Sequence, residues 1–411
     1  MITPAPNTLA VIGAGPIGLE AAVRGLDAGF DVHVFERGVV ASHQIAWGHV
    51  RLFTPWRMNL GPAGRARLAA AGWTAPDPEA FSTGRELAEG YLEPLAKLPE
   101  LAPRIHTHAQ VVHVSRGGLL KKDSPGGTVL GRRDHPFRLL VRDAGGRENF
   151  LQAFAVIDAS GVYGQPNWAG DGGIPARNEV YLAPQMSYHV DDVLDLRRER
   201  YAGRRTLVIG GGDSAATVVA DLVQLAGETP GTSVAWATRK QAEALYPVSV
   251  DETTLPGLRA LMDRARAITR GGDPAVTHIG GVRVDGFEFN SATHRYRVAL
   301  TDGEATRVEE VDQVIALTGY GPDNALYREL QVHECYASRG PMKLAAALSG
   351  STGCTTTPAF GADVLANPEP DFYILGHKSY GRTPHFLMET GYQQVAEVIA
   401  KLAADRPVAV G

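Results

Sequence analysis

The sequence predicts an α/β fold made of two nucleotide-binding units, one inserted into the other. Three observations predict it. A glycine-rich strand–turn–helix–strand signature stands near the N-terminus. It returns about two hundred residues later, and two short apolar crossovers bracket the second copy.

In the first copy, residues 9–12 (Leu-Ala-Val-Ile) form a strand, Gly13 opens a tight turn, and a helical pattern runs from Pro16 to about Ala28. A second apolar run, Val32–Phe35, ends at Glu36. This is the order of a βαβ unit. The second copy repeats it, with Thr206–Ile209 as a strand, Gly210–Asp213 as a turn, Ala215–Leu225 as a helix and Ser233–Ala237 as a strand.

The crossovers are Val156-Ile-Asp-Ala-Ser-Gly161 and Val314-Ile-Ala-Leu-Thr-Gly-Tyr320. Each is an apolar strand that ends in a small residue and a glycine, with an aromatic a short step on. They read as the chain leaving the first domain and returning to it. The first domain is then 1–164 with 321–411, and the second is the insertion 165–320.

The remaining segments read as supporting structure. Ala109–Ser115, Phe137–Asp143 and Asn149–Ala159 predict a β-meander, with the Gly-, Lys- and Arg-rich stretch 116–135 as a solvated loop inside it. Val282–Phe289, Tyr296–Thr301 and Val314–Leu317 predict another meander. The tail closes with a strand, Phe372–Leu375, and a helix from about Phe386 to Leu402.

Composition sets outer bounds. At 411 residues the chain exceeds what one hydrophobic core normally supports. The net charge of −5 argues against nucleic acid or an anionic membrane as the main partner. Cys335 and Cys354 are the only cysteines, without CxxC or zinc-ligand spacing, which fits a reducing compartment and rules out a disulfide framework. Leu9–Leu26 resembles a signal peptide in hydropathy but lacks a basic leader and contains Glu20 and Arg24. No run approaches the roughly 20 apolar residues of a membrane span. The expectation is a cytoplasmic enzyme with no metal, acting on a small molecule, with a homodimer left open. No paired carboxylates, HExxH or Ser/His/Asp order supports hydrolysis.

Gly13-x-Gly15-x-x-Gly18 has a physical role at each position. Gly13 permits the turn, Gly15 lets the backbone approach a pyrophosphate, and Gly18 lets helix and strand pack closely. The helix N-terminus, at Pro16 and Ile17, faces the phosphates with its partial positive charge. Glu36, followed by Arg37, is placed to accept ribose hydroxyls. The second copy, Gly210-Gly-Gly212-Asp213-Ser214-Ala215, puts Ala in the third glycine position. Its second strand ends in Arg239-Lys240, where the first has an acid. A carboxylate there would repel a 2′-phosphate and two cations would bind one, so NADPH is favoured over NADH. The alternative is that Arg239 and Lys240 are ordinary solvated cations.

These two units and the Leu317-Thr-Gly-Tyr320 crossover resemble the two-dinucleotide-binding-domain flavoproteins, which include thioredoxin-reductase-like enzymes, flavin-containing monooxygenases and lysine/ornithine N-hydroxylases. The resemblance covers nearly the whole chain and implies two Rossmann-like domains, the NAD(P)H domain inserted into the FAD domain. It implies that Gly376 and the start of the final helix face the flavin, that Val111 offers backbone to the adenine, and that Gly161 lies at the first crossover. Tyr163-Gly-Gln-Pro166 and Leu317–Tyr320 resemble the crossovers of the N-hydroxylases.

The departures are the missing cysteine pair of the disulfide reductases, Gly376-His377 where Gly-Asp is usual, and the absence of FxGxxxHxxxY, with Gln185–His189 in its region.

In this fold the segment Trp47–Asn59 runs past the flavin ring. Trp47, His49, Arg51, Trp56 and Arg57 suit stacking and an anionic or polar substrate, unless Trp serves there as a structural plug. In Gly376–His385, Lys378 and Arg382 suit negative charge on a reduced flavin, unless the turn is solvent-exposed. Trp47, Arg51, Tyr320 and Lys378 are the candidate catalytic residues. Cys354 reads as a buried thiol more readily than a redox one.

The resemblance implies FAD and NADPH as cofactors, and oxygen as co-substrate if the enzyme is a monooxygenase working through a flavin C4a-hydroperoxide on a nucleophilic nitrogen or sulfur. The alternatives are a reductase serving a quinone, protein or small oxidant, and a non-catalytic nucleotide sensor.

Overall fold

A computed structural model describes residues 7–246, 255–349, 361–384 and 386–406. The chain divides into two compact units. One runs to Gln165 and resumes at Gly321; the other is Pro166–Tyr320.

The first unit is built on five parallel strands in the order Phe372–Ile374, Ala155–Asp158, Thr8–Ile12, Asp31–Phe35, Ile105–His106. The central strands are nearly continuous apolar runs because both faces are covered. Thr8–Ile12 and Ala155–Asp158 are buried at every position. One face receives the helices Pro16–Asp27 and Met388–Asp405, which pack against each other. The other receives an antiparallel sheet of Gln110–Arg116, Phe137–Arg142 and Glu148–Ala153. Val111, Phe137 and Leu139 meet Ala10, Ile12 and Val156 there.

One sequence expectation is corrected in this unit and another is refined. Asn149–Ala159 is not one strand. Its first part, Glu148–Ala153, ends the antiparallel sheet, and Ala155–Asp158 joins the parallel one. Strand-like residues continue through Phe154, so the sequence does not show where the chain changes sheet.

The stretch 116–135 is a largely exposed loop with two short 3-10 segments, but it is anchored by charges that the sequence reading left in solvent. Arg116 and Arg132 are fully buried and share Glu369, at 2.8 and 3.0 Å. Arg133 pairs with Asp371 and Asp405. The Arg116 guanidinium also lies 3.6 Å over the Phe137 ring. Burying a guanidinium is costly unless a carboxylate compensates it, and Glu369 is remote in sequence.

The second unit repeats the pattern with four parallel strands in the order Val276–Ile279, Ser233–Ala237, Arg205–Ile209, Gln313–Ala316. Its first helix, Asp213–Glu228, starts two residues before the expected one. A second helix, Pro256–Thr269, packs against it. The antiparallel sheet is Arg283–Asn290, Arg295–Thr301 and Thr306–Val311. Its third strand therefore differs from the expected Val314–Leu317, which belongs to the parallel sheet as Gln313–Ala316. Thr306–Val311 (Thr-Arg-Val-Glu-Glu-Val) escapes a sequence reading because only Glu309 and Val311 are buried.

No helix among the described residues is long and apolar enough to cross a membrane.

Candidate functional site

The turn after the first strand is held from three sides. Gly13 has φ +101°, and its amide donates to the Phe35 carbonyl at 2.8 Å. A Cβ there would lie 2.8 Å from the Ala159 carbonyl oxygen, so the first crossover abuts the turn. A Cβ on Gly18 would sit 1.9 Å from the Gly13 carbonyl oxygen, so helix and turn touch through bare backbone.

Gly15 differs from both. A Cβ added to it meets only Gln44 Oε1, at 3.9 Å. Space therefore stays open beside the backbone at the N-terminus of the Pro16–Asp27 helix, with Pro16 and Ile17 as its first residues. This is the geometry a pyrophosphate needs.

Glu36 ends its strand beside that space. Its Oε2 accepts from the Ala14 amide at 2.9 Å, and its Oε1 from the Gly38 amide at 2.8 Å and Ser42 Oγ at 3.3 Å. The carboxylate thus knits the glycine turn to the loop after the second strand. Its oxygens retain acceptor capacity. Arg37 is exposed, with its guanidinium 3.0 Å from where a Gly164 Cβ would be. Gly161 has φ +71° and faces His43 Nδ1. Val111 lies on an edge strand of the antiparallel sheet, next to a register shift, so one side of its backbone has no partner strand.

The second cradle is more open. Gly210 has φ +136°, and a Cβ there would lie 2.2 Å from the Leu317 carbonyl oxygen, again the end of the crossover strand. The Trp236 indole donates to the Gly210 carbonyl at 2.8 Å. A Cβ on Gly212 meets nothing within 4 Å. Asp213 and Ser214 begin the helix and Ala215 is fully buried. Arg239 and Lys240 are both exposed at the end of the neighbouring strand.

At the second crossover, Tyr320 pairs with a residue that the sequence did not single out by role. His189 Nδ1 lies 3.0 Å from the Tyr320 hydroxyl, the rings stack at 5.7 Å, and the hydroxyl also donates to the Tyr188 carbonyl at 3.3 Å. Burial pushes the His189 imidazole below its ordinary pKa.

Glu179 is buried beneath this region. It accepts from the Ala169, Gly170 and Ala176 amides and the Tyr188 hydroxyl. The Tyr188 hydroxyl is held far above its usual pKa by burial and that carboxylate.

The Trp47–Asn59 segment is more ordered than a loop. It carries the strand Arg51–Pro55, paired with Phe81–Thr83, and the short helix Trp56–Asn59. Trp47 is half-buried with its six-membered ring directly over Gly84. Arg51 is exposed and donates to the Phe81 carbonyl at 3.1 Å. Arg51 thus lies on this two-stranded ladder, and Trp47, just before it, packs at its edge on Gly84. Trp56 is only 7% exposed and belongs to the core, and Arg57 pairs with Glu79 on the surface.

In the turn after the last strand Lys378 is not solvent-exposed, which removes the solvent-exposed alternative there, but its charge is already paired inside the fold. Its Nζ is fully buried, 2.6 Å from Asp158 Oδ2 and 3.2 Å from Ser160 Oγ. Gly376 donates its amide to Gln394 Oε1 at 3.0 Å, and its own Cβ position would crowd Ile17. His377 stacks on Phe386 at 5.6 Å, and burial pushes its pKa down to about 4. Asp158 and Ser160 were missed by the sequence reading. Their signal was an acid and a hydroxyl at the end of an otherwise apolar strand.

Cys354 and His385 lie outside the described residues. Cys335 is partly exposed, and its thiol is held below its ordinary pKa by hydrogen bonds from Ser338 and Ala337.

Comparison with known proteins adds a family match and a fold. Residues 169–256 match the family model of L-lysine 6-monooxygenase/L-ornithine 5-monooxygenase. Among curated proteins, none matches the chain. Solved structures similar to it include a bacillithiol disulfide reductase from Bacillus cereus, 17% identical over 98% of this chain and 99% of that one, with a TM-score of 0.70. An ornithine N-hydroxylase from Kutzneria sp. 744 is 16% identical over 98% and 100%, with a TM-score of 0.63. The FAD-bound cadaverine monooxygenase of desferrioxamine biosynthesis from Erwinia amylovora is 14% identical over 98% and 97%, also with a TM-score of 0.63. The chain has the two-dinucleotide-binding-domain fold of these flavoproteins.

Proposed function

We propose that this chain is an FAD-dependent oxidoreductase that takes its electrons from NADPH and oxygenates a nucleophilic nitrogen or sulfur of a small molecule. The observation that carries the reading is the lysine/ornithine monooxygenase match, which spans the second cradle of a chain whose first cradle fits a flavin dinucleotide.

The fit rests on the space beside Gly15 and on the acid at its edge. Gly13, Gly15, Pro16, Ile17 and Gly18 form the phosphate-binding turn and helix start. Glu36 uses its remaining lone pairs for the ribose hydroxyls, with Arg37 beside them. The unpaired edge at Val111 serves the adenine. Gly161 and Gly376 line the flavin side.

In the second unit, Gly210, Gly212, Asp213, Ser214 and Ala215 form the matching turn, and Arg239 and Lys240 take the 2′-phosphate of NADPH. Bound FAD supplies the two-electron and oxygen chemistry that side chains cannot. Trp47 and Arg51, at and beside the ladder of Arg51–Pro55 with Phe81–Thr83, are assigned to the wall that keeps water out and orients the substrate. Tyr320, held by His189, is assigned a positioning role at the crossover. O2 is the co-substrate.

The test measures NADPH oxidation, oxygen uptake and hydrogen peroxide together, across amines, sulfides and quinones. An oxygenated amine or sulfide formed in step with NADPH supports the proposal. Rapid electron transfer to a quinone or disulfide, with no oxygen atom in any product, replaces it with a reductase.

A further inference from the structure

The buried Lys378–Asp158 pair joins two stretches of backbone that the FAD reading places beside the flavin. Asp158 ends the strand Ala155–Asp158, and Lys378 lies in the turn after the adjacent parallel strand, Phe372–Ile374. Both side chains are 0% exposed. Asp158 Oδ2 receives the Lys378 ammonium, while Oδ1 receives the Ser160 amide at 3.1 Å and the Ser160 hydroxyl at 2.7 Å. The ammonium reaches Ser160 Oγ as well and lies 5.3 Å from the centre of the Tyr327 ring.

The turn held this way is wedged on its other side against Gly13. A Cβ on Gly13 would lie 3.1 Å from the Ser160 Cα. The pair therefore braces the glycine turn, the Ser160–Gly161 exit and the Gly376–Tyr380 turn at the carboxyl ends of neighbouring strands, the edge where open parallel sheets bind ligands.

A buried ion pair adds little stability over an apolar pair of similar volume, so stability alone is a poor account of it. It is also neutral overall. A cation whose charge is cancelled at 2.6 Å is a weak source of field for a flavin. An apolar replacement would fill the space without holding Ser160.

We propose that Lys378 and Asp158 are positioning residues, a neutral clasp that sets the seat of the flavin without lending it charge. The proposal rests on the FAD assignment above.

The experiment uses the full-length holoprotein and compares wild type with Lys378→Met, Asp158→Asn and the double variant Lys378→Gln/Asp158→Asn, whose two amides can still hydrogen-bond. FAD dissociation, the flavin midpoint potential and thermal melting are measured on each. Each single variant is expected to bind FAD about tenfold to a hundredfold more weakly, the scale of coupling within one hydrogen-bonded network. The double variant is expected to recover to within about threefold of wild type, with the wild-type potential.

Single variants that fold and hold FAD as tightly as wild type overturn the clasp. So does a folded double variant whose potential stays shifted, because the lysine charge itself is then required. If a single variant does not fold, the double variant decides alone. A wild-type protein that binds no FAD at all defeats the FAD assignment instead, which separates the two failures.

Discussion

The two cradles share a signature and differ in what their structure tolerates. In both, the first glycine abuts the end of a crossover strand, Gly13 against Ala159 and Gly210 against Leu317. That contact is common because both sheets place the crossover strand beside the first strand. The helix approach is not common to both. Gly18 leaves no room for a single carbon, whereas Ala215 occupies the equivalent place and is simply buried. The charge at the end of the second strand also differs. Glu36 is drawn into the fold by two backbone amides and a serine, while Arg239 and Lys240 stay exposed. One motif thus yields a tight, internally bonded cradle and a looser one with free cations at its lip.

The largest expected effect breaks the tight cradle. Gly18→Ala forces a carbon onto the Gly13 carbonyl and should cost about 3 kcal/mol or more, with loss of bound FAD. Ala215→Gly should cost only about 1 kcal/mol of helix propensity and leave FAD content unchanged. Melting curves and the flavin-to-protein ratio report both. Equal sensitivity at the two positions would remove the distinction.

Acid separates the units next. His377 in the first unit has its pKa lowered from 6.5 to about 4 by burial, so the unfolded chain takes up that proton more readily. Its contribution is present above about pH 6.5 and lost as the pH falls towards 4. Asp221 in the second unit is raised from 3.8 to about 6, chiefly by burial. Its contribution runs the other way, present below about pH 4 and lost as the pH rises through 6. Each is bounded at roughly 3 kcal/mol. His377→Asn should flatten the acid limb of the stability profile, and Asp221→Asn should raise stability above pH 6. An unchanged profile in either variant would refute that assignment.

A smaller effect sharpens the contrast in charge. Arg239→Ala should weaken NADPH by about 1.5–3 kcal/mol and hardly affect NADH. Steady-state kinetics with both cofactors measure it, and equal losses would mean that Arg239 does not hold the 2′-phosphate.

The smallest effect is expected at the two cysteines. Cys335→Ser with Cys354→Ser should leave NADPH-driven turnover within about 0.5 kcal/mol of wild type. A large loss in a folded protein would reopen a thiol mechanism.

The fold was legible because its signals are local. Gly13, Gly15 and Gly18 after an apolar run specify strand, turn and helix within one turn of chain. The same holds at Gly210 and Gly212. Of the candidate site, only local placement was legible, as in the acid of Glu36 beside the glycine turn and the exposed Arg239 at its strand end. Lys378 was read as a cation available to a reduced flavin because nothing nearby in sequence opposes it. Its partner, Asp158, is 220 residues away. The buried arginines of the 116–135 stretch were missed for the same reason, whereas Thr306–Val311 was missed because only two of its residues are buried.

The sequence by itself determined that two nucleotide-binding units exist, where their glycine turns fall and which sign of charge closes each. Those properties depend on residues a few positions apart, whose geometry the backbone dictates. Only the tertiary structure decided which charges are spent internally. Whether an arginine, lysine or glutamate is free or paired depends on what a distant segment brings to it and on the cost of removing it from water. For Lys378 and Asp158, Arg116, Arg132 and Glu369, that decision is made by strands and turns that meet only in the folded chain.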